Sequence, residues 1–495
     1  MKRAVFACLA LLTGTASAQP LFENRSESLP EHIYNGGWEH FVGGGLAVFD
    51  CDGDELPDIF AAGGANPAQL MRNKGDFVFE RADIGEIKGV TGAYPIDLDG
   101  DGWLDLFVLV AGQNRILKGA PNCAFMDATD AFGLPASNAW STAFTAWWEG
   151  DGARPTLAIG NYVDRADPAG PFEACDTNEI LRPSEKGYVS EVLEPGFCPL
   201  SMLAAKDSRR RDTLRISNDR HYYVNDGREQ MWDIKDRRFL DEADGWKRVA
   251  LWGMGIASRD LNGDGLDEVM LTSMGDQLLQ FANPEGGYIA APYSIGTYAH
   301  RPHVGDEGRP STGWHAEFGD IDNDARADLF IAKGNVDQMP SMAMRDPNTL
   351  LQQQADGTFV EISQDVGVAT FDRARGAAFA DFDLDGRLDL VVSNRRAPLE
   401  LYRNVTPDAG NWIAISLEQE GGNRNAIGSV IEVSTQGATQ SVQHVIGGGH
   451  AGGHLLPRHF GLGSATHAQI TVTWPDGSRS QTELAVGARH LIAKP

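Results

Sequence analysis

One short acidic pattern returns five times along this 495-residue chain, and no other feature restricts its fold as strongly. It reads DCDGDELPD at 50–58, DLDGDGWLD at 97–105, DLNGDGLDE at 260–268, DIDNDARAD at 320–328 and DFDLDGRLD at 381–389. Each copy sets oxygen-bearing side chains at positions 1, 3, 5 and 9: Asp50, Asp52, Asp54 and Asp58; Asp97, Asp99, Asp101 and Asp105; Asp260, Asn262, Asp264 and Glu268; Asp320, Asp322, Asp324 and Asp328; Asp381, Asp383, Asp385 and Asp389. Carboxylates this dense repel one another unless a cation lies among them. Oxygen-only donors suit a hard cation, and calcium takes roughly six to eight of them. Position 6 is glycine in three copies (Gly102, Gly265, Gly386), which allows a sharp turn around an ion. The expectation is up to five Ca2+ ions, one per intact loop.

The flanks exclude an EF-hand, which needs amphipathic helices and a ligand at position 12 of its loop. Before the loops stand GGGLAVF, GMGIASR, GWHAEFG and RGAAFA; after them stand DIFAAGG, DLFVLVAG, EVMLTSMG, DLFIAKGN and DLVVSNRR, apolar and β-rich. Each loop therefore joins two strands of a hairpin. Two eroded copies fill the gap between 97 and 260. WWEGDGARP, from Trp147, keeps Glu149 and Asp151; the stretch from Ala204 keeps only Asp212 of the ligand positions. Starts at 50, 97, 147, 204, 260, 320 and 381 give spacings of 47 to 61 residues, the period of propeller blades. Between loops a second theme recurs, as in LMRNKGDFVFERADIG and LLQQQADGTFVEISQDVG, which supplies two outer strands per blade.

DxDxDGxxD loops between GxxxxxxD and DLxV strands resemble FG-GAP/VCBS repeats, also found in integrin α-subunit heads. The likeness runs over about residues 40–404 and holds at five of seven loops. After VTPDAG (405–410) the acidic loops stop. NAIGSVIEV, GGGHAGGH, RHFGLGSA and VTWPDGS follow in the order of the ASPIC/UnbV domain. Together the two halves resemble the cartilage acidic protein family and its bacterial relatives. That resemblance implies a secreted calcium-binding protein and brings no catalytic residues. The expected architecture is all-β: a signal peptide at 1–18, a seven-bladed propeller at 30–404, a linker at 405–410, and a small sandwich-like β domain at 411–495 that folds by itself.

MKRAVFACLALLTGTASAQP has the charged start, apolar core and Ala16-Ser17-Ala18 site of a secretory signal peptide, and Cys8 sits too deep in the apolar run for a lipid anchor. No later stretch has the length of a membrane span. The expected location is periplasmic or secreted. Export permits disulfides, and Cys51, Cys123, Cys175 and Cys198 allow three pairings. Cys175–Cys198 is favoured because it staples an irregular segment, leaving Cys51–Cys123. Net charge is −27, and nineteen of the negative charges stand at loop ligand positions, so metal accounts for much of the acidity. No basic footprint for nucleic acid is present.

In the C-terminal part, Gly447, Gly449 and Gly452 match GxGxxG without a strand–turn–helix around them. His444, His450, His454, His459 and His467 could gather a transition metal but match no standard spacing. A further group, His300, His303 and His315, lies in the long insertion before the sixth loop. The function expected is calcium-dependent recognition or adhesion through an unidentified protein or glycan, by a monomer. The alternative is a carbohydrate lyase or dehydratase with His303, Asp306, His315 and Glu317 over the channel; no GxSxG, HExxH or P-loop supports an enzyme.

Overall fold

The computed structural model describes residues 19–167, 174–219, 226–306, 308–436 and 438–495; the expected signal peptide lies outside them. Residues 22–404 form seven four-stranded antiparallel sheets, called blades 1 to 7 below in order of their first strands. Those first strands are Leu46–Phe49, Val90–Ile96, Ser141–Trp147, Pro199–Lys206, Gly253–Arg259, Gly313–Gly319 and Arg373–Ala380. Each adjoins the next, and the last returns to the first, so the sheets close a ring. The second strands, such as Asp105–Val110 (DLFVLV) and Asp328–Lys333 (DLFIAK), are buried along their whole length. They are packed between blades on both faces, which is why they read as unbroken apolar runs rather than as alternation. Large side chains fill the seams: Phe107 stacks on Phe144 between blades 2 and 3, and Phe330 meets Phe379 edge-on between blades 6 and 7.

The ring begins earlier than the sequence indicated. Phe22–Asn24 supplies the outer strand of blade 7, with Phe22 opposite Asn404 and Asn24 opposite Tyr402. The N-terminal segment thus latches onto the last blade, an arrangement that only chain closure could reveal. Both expected disulfides are present. Cys51–Cys123 ties the first acidic loop to blade 2, and Cys175–Cys198 ties blade 3 to the entry of blade 4.

Residues 411–495 form a sandwich of a four-stranded and a three-stranded sheet. Strands Ser429–Thr435 and His467–Thr473 lie at the centre of the first, and Asn411–Glu418 at the centre of the second. Ile413, Ile415, Ile431, Phe460, Ile470, Val472 and Trp474 make its core. It is not the separate module expected. Residues 405–410 are no free tether: the Val405 N–H donates to Leu21 O (2.8 Å) and the Gly410 N–H to Asp322 O (2.9 Å). More important, the glycine-rich stretch 446–455 leaves the sandwich and fills the middle of the ring. Ile446, Gly447, Gly449, Gly452 and Leu455 bridge Ala146, Leu203, Ile256, Ala93 and Phe49 on the first strands of blades 3, 4, 5, 2 and 1. His450 N–H reaches His315 Nδ1 of blade 6 (3.2 Å), and His454 Nε2 reaches Ala377 O of blade 7 (3.0 Å). The plug therefore touches all seven blades and pairs polar backbone groups that would otherwise face an empty channel.

The fit explains the glycines. A methyl group at Gly92 in blade 2 would overlap the Ala451 carbonyl, and one at Gly452 would overlap Leu46 O. Gly92→Ala should therefore lower stability by about 1–3 kcal/mol in urea unfolding, the usual range for an overpacked core. Gly308→Ala is the control, since an added methyl there meets nothing within 4 Å, and should shift the midpoint negligibly.

Candidate cation sites

All five acidic loops fold by the same rule. The carboxylate at position 1 accepts two loop N–H groups. Asp97 takes Gly100 (2.7 Å) and Gly102 (3.0 Å); Asp260 takes Gly263 (2.8 Å) and Gly265 (2.9 Å); Asp381 takes Asp385 (2.9 Å) and Gly386 (3.1 Å). Asp50 and Asp320 do the same. Positions 4 and 6 both adopt positive φ: Gly53 and Glu55, Gly100 and Gly102, Gly263 and Gly265, Asn323 and Ala325, Leu384 and Gly386. Glu55, Ala325 and Leu384 hold this conformation without glycine, at a cost of roughly 1–2 kcal/mol each. Position 4 was not singled out from the sequence, although Gly and Asn recur there.

Position 9 clamps the loop to its blade. Asp58 accepts Cys51 N–H within the loop and Asn73 N–H from the third strand, both at 2.8 Å. Asp105 accepts Leu98 and Gly119, Asp328 accepts Ile321 and Gln353, and Asp389 accepts Phe382 and Asn404, at 2.8 to 3.0 Å. Glu268 does so with Leu261 at 2.9 Å and more loosely with Ala282 at 3.4 Å. These five carboxylates are buried.

The structure brings expected ligands together. One oxygen each of Asp50, Asp52 and Asp58 lies within a 4.8 Å group, as do those of Asp97, Asp99 and Asp101 and those of Asp320, Asp322 and Asp328. In the fifth loop Asn262 Nδ2 is 3.4 Å from Glu268 Oε1, and Asp264 turns back to cap Leu266 N–H. In the seventh, Arg403 spans Asp383 and Asp385 at 2.6 and 3.5 Å. Third-strand cations recur over these groups: Arg72 on Asp52, Lys118 on Asp99 and Asp101, Arg403 on Asp383. The repeated LMRN, ILKG and LYRN segments were the available signal for them.

Electrostatics favour a cation in each cradle. Burial, with repulsion from Asp52 and Asp50, pushes the Asp58 carboxyl up to about 8. Burial likewise raises Asp105 and Glu268 to about 7 and Asp381 to about 6, and lifts Asp328 and Asp389 well above the usual range. Asp383 Oδ1 is buried and accepts no hydrogen bond. A hard divalent cation would supply the missing partner, and the oxygen-only donor set fits such an ion.

The eroded loops differ. Trp147 and Ala204 stand at position 1. Glu149 turns to Arg182 (3.2 Å) and Arg237 (3.9 Å), and Asp212 is exposed and paired with Lys206 at 2.6 Å. No clamp like that of Asp58 forms there.

The sandwich sits on the loop-bearing face of the ring. Arg489 donates to Glu55 O (2.6 Å) and pairs with Asp381 (3.3 Å). Gly463 N–H donates to Asn323 O (2.8 Å), His459 Nε2 lies 3.1 Å from Gly386 O, and Lys206 N–H donates to Gln443 (2.7 Å).

The C-terminal histidines do not assemble as a metal cluster. His444 accepts from Arg458 (3.0 Å), His459 stacks on Trp412, and His467 is exposed. Burial keeps His450 and His454 neutral, pushing them down to about 3 and 4. His454 does approach Glu317, at 3.8 Å, with His315 at 3.5 Å on the same oxygen. Backbone N–H groups of His450 and Val48 occupy Nδ1 of His315 and His454. Both rings therefore carry their proton on Nε2, that of His454 directed to Ala377 O (3.0 Å) and that of His315 lying 3.5 Å from Glu317, so neither Nε2 offers a metal its lone pair. Of the four lyase candidates only His315 and Glu317 meet; His303 pairs with Glu361 (3.4 Å) and Asp306 with Arg309 (3.2 Å).

Family comparison agrees with the two halves. A model described as FG-GAP-like repeat matches 50–108 and 337–392, and one described as ASPIC and UnbV matches 419–495. Cartilage acidic protein 1 of Homo sapiens is 27% identical over 177 residues, 35% of this chain and 26% of that protein; the Xenopus tropicalis protein is 28% identical over 183 residues, 36% of this chain and 28% of that protein. The chain thus spans about a quarter of these relatives' length. Among solved structures, BBS1N in complex with ARL6DN aligns with a TM-score of 0.46 at 10% identity, covering 78% of this chain and 97% of that one. The extracellular domain of the putative hybrid two-component system BT4673 of B. thetaiotaomicron aligns at 0.42 and 7% identity, covering 97% and 59%.

Two measurements test the sites. With chelator present, carboxyls raised by burial destabilise the fold once ionised, so melting temperature should fall as pH rises from about 4, the unfolded carboxyl value, toward the Asp58 value of about 8. A chelated protein that gains stability over that interval would contradict the burial argument. Asp383→Ala should remove about one bound divalent ion per chain, whereas Glu149→Ala should remove none, by metal analysis after dialysis.

Proposed function

We propose that this chain, which carries FG-GAP-like repeats and an ASPIC/UnbV domain, is an exported recognition protein whose propeller is held by calcium. The observation that carries the reading is the fivefold repetition of one hydrogen-bonded oxygen cradle with its buried clamp. Calcium at each loop would take side-chain oxygens from positions 1, 3, 5 and 9, all carboxylates except the Asn262 amide, and offset the repulsion that burial creates. The two disulfides suit an oxidising compartment, and among the described residues no helix is long and apolar enough to cross a membrane. Binding is favoured over catalysis because the channel, where a propeller enzyme would gather its acid and base, is filled by residues 446–455. His315 and Glu317 lie against that plug, and His315 is buried. The broad outer surface of the blades and the sandwich is what remains available to a partner.

Calcium should raise the melting temperature, most at pH 8, because a bound ion lowers the ligand carboxyls and reverses the trend expected under chelation. Magnesium, which demands a tighter octahedron, should substitute poorly. Equal melting curves in calcium and chelator at pH 8 would refute the calcium reading. Retention on immobilised surface extracts of exported proteins and glycans, in calcium but not in chelator, tests recognition.

A further inference from the structure

We propose that the cleft between blades 3 and 4 and the C-terminal sandwich is the recognition site, and that it takes an uncharged oligosaccharide. This rests on the recognition reading above and narrows it. The cleft encloses about 840 Å³, within the roughly 300–1,000 Å³ usual for small-ligand sites. Its position follows from the eroded repeats. Where the other blades set a position 1 aspartate, blade 3 has Trp147 and blade 4 has Ala204. Freed from holding an ion, these two loops leave a gap under the sandwich, floored by the Trp147–Trp148 pair and roofed by the turn at Gln419–Gly422. A second cavity, about 560 Å³ beside the fifth and sixth acidic loops, includes Asp260 and Asn262 and so belongs to the cation sites.

Three properties fix the ligand class. The tryptophans are successive residues at the end of one strand, so their rings pack to opposite sides: Trp148 against the cluster of Leu157 and Phe144, Trp147 against that of Met202 and Leu214. Both are partly exposed, yet both indole nitrogens are buried without a hydrogen-bond partner. What the rings offer a ligand is therefore carbon, a surface on which the C–H face of a sugar ring packs. The walls above them are polar in both senses. Five carboxylates and four cationic side chains line the cleft, nearly balanced on a chain of net charge −27. Lys206–Asp212 and Lys494–Asp476 are already joined, at 2.6 and 2.7 Å. A charged polymer would gain little field here, whereas hydroxyl groups, each both donor and acceptor, find partners of either kind. Finally, Gly421 and Gly422 bring bare backbone to the rim, Gly422 lying against Ala153 of blade 3, so main-chain groups add to the hydroxyl-matching set.

The test uses the full chain in calcium on an array of neutral oligosaccharides (gluco-, manno-, galacto- and N-acetylglucosamine series) and acidic ones (uronate, sulfated and sialylated). Binding should fall on a neutral series. The best neutral oligosaccharide is then titrated by calorimetry against Trp148→Ala, expected to weaken binding about tenfold, and against Glu420→Ala, expected to weaken it about threefold. Glu420 is exposed, so that variant keeps its fold if Trp148→Ala does not. Preference for acidic oligosaccharides overturns the ligand class. Neutral binding untouched by Glu420→Ala and a folded Trp148→Ala overturns the cleft while leaving recognition in place. Silence on the whole array, or retention only of proteins, overturns the proposal; loss of calcium-dependent melting would instead strike the reading on which it rests.

Discussion

The ninth-position carboxylate is the interaction on which the ring depends. In five blades a buried Asp or Glu joins the acidic loop to the third strand through paired backbone N–H groups, as Asp389 joins Phe382 and Asn404. A buried carboxylate is stable only when its charge is met. Two N–H dipoles meet part of it, in three blades a third-strand arginine or lysine lies over the same loop, and a cation in the cradle would complete the balance. The loop, the hairpin and the blade are therefore held by one electrostatic arrangement, repeated with small variations in sequence.

The same arrangement sets where the sandwich can rest. Loops ordered in this way present a level face, and Arg489, His459 and Gly463 contact the first, sixth and seventh of them. From that seat the glycine stretch reaches into the ring. Only a chain nearly free of side chains could pass along seven inner strands at main-chain distance, which is why Gly447, Gly449 and Gly452 carry backbone contacts rather than a phosphate. Cation sites, sandwich and plug form one packed body, and the domain boundary at 405–410 is a feature of the chain more than of the folded molecule.

Blades 3 and 4 break the pattern, and the break is informative. Asp212 lies exposed beside Lys206 instead of buried under a loop, and Trp147 occupies the place of a ligand. Without the position 1 aspartate and its paired N–H groups, the demand for one loop shape is relaxed. The sandwich then spans these loops across a cleft, whereas on blades 6 and 7 it packs against them.

By itself the sequence determined the blade. Strand, acidic loop and strand follow from local ligand spacing and apolar runs, both of which are read over about ten residues. The position 1 and position 9 carboxylates, the left-handed glycines and the repeat length were all legible for that reason. Only the tertiary structure decided what joins distant residues. Phe22–Asn24 latches onto blade 7 because ring closure brings the two ends of the propeller segment together. The GxGxxG stretch becomes a plug because the channel needs backbone partners, and His315 and Glu317 meet His454 because that plug delivers it. No local pattern encodes these contacts, since each is set by shape and unsatisfied polar groups in a cavity that exists only after all seven sheets have closed.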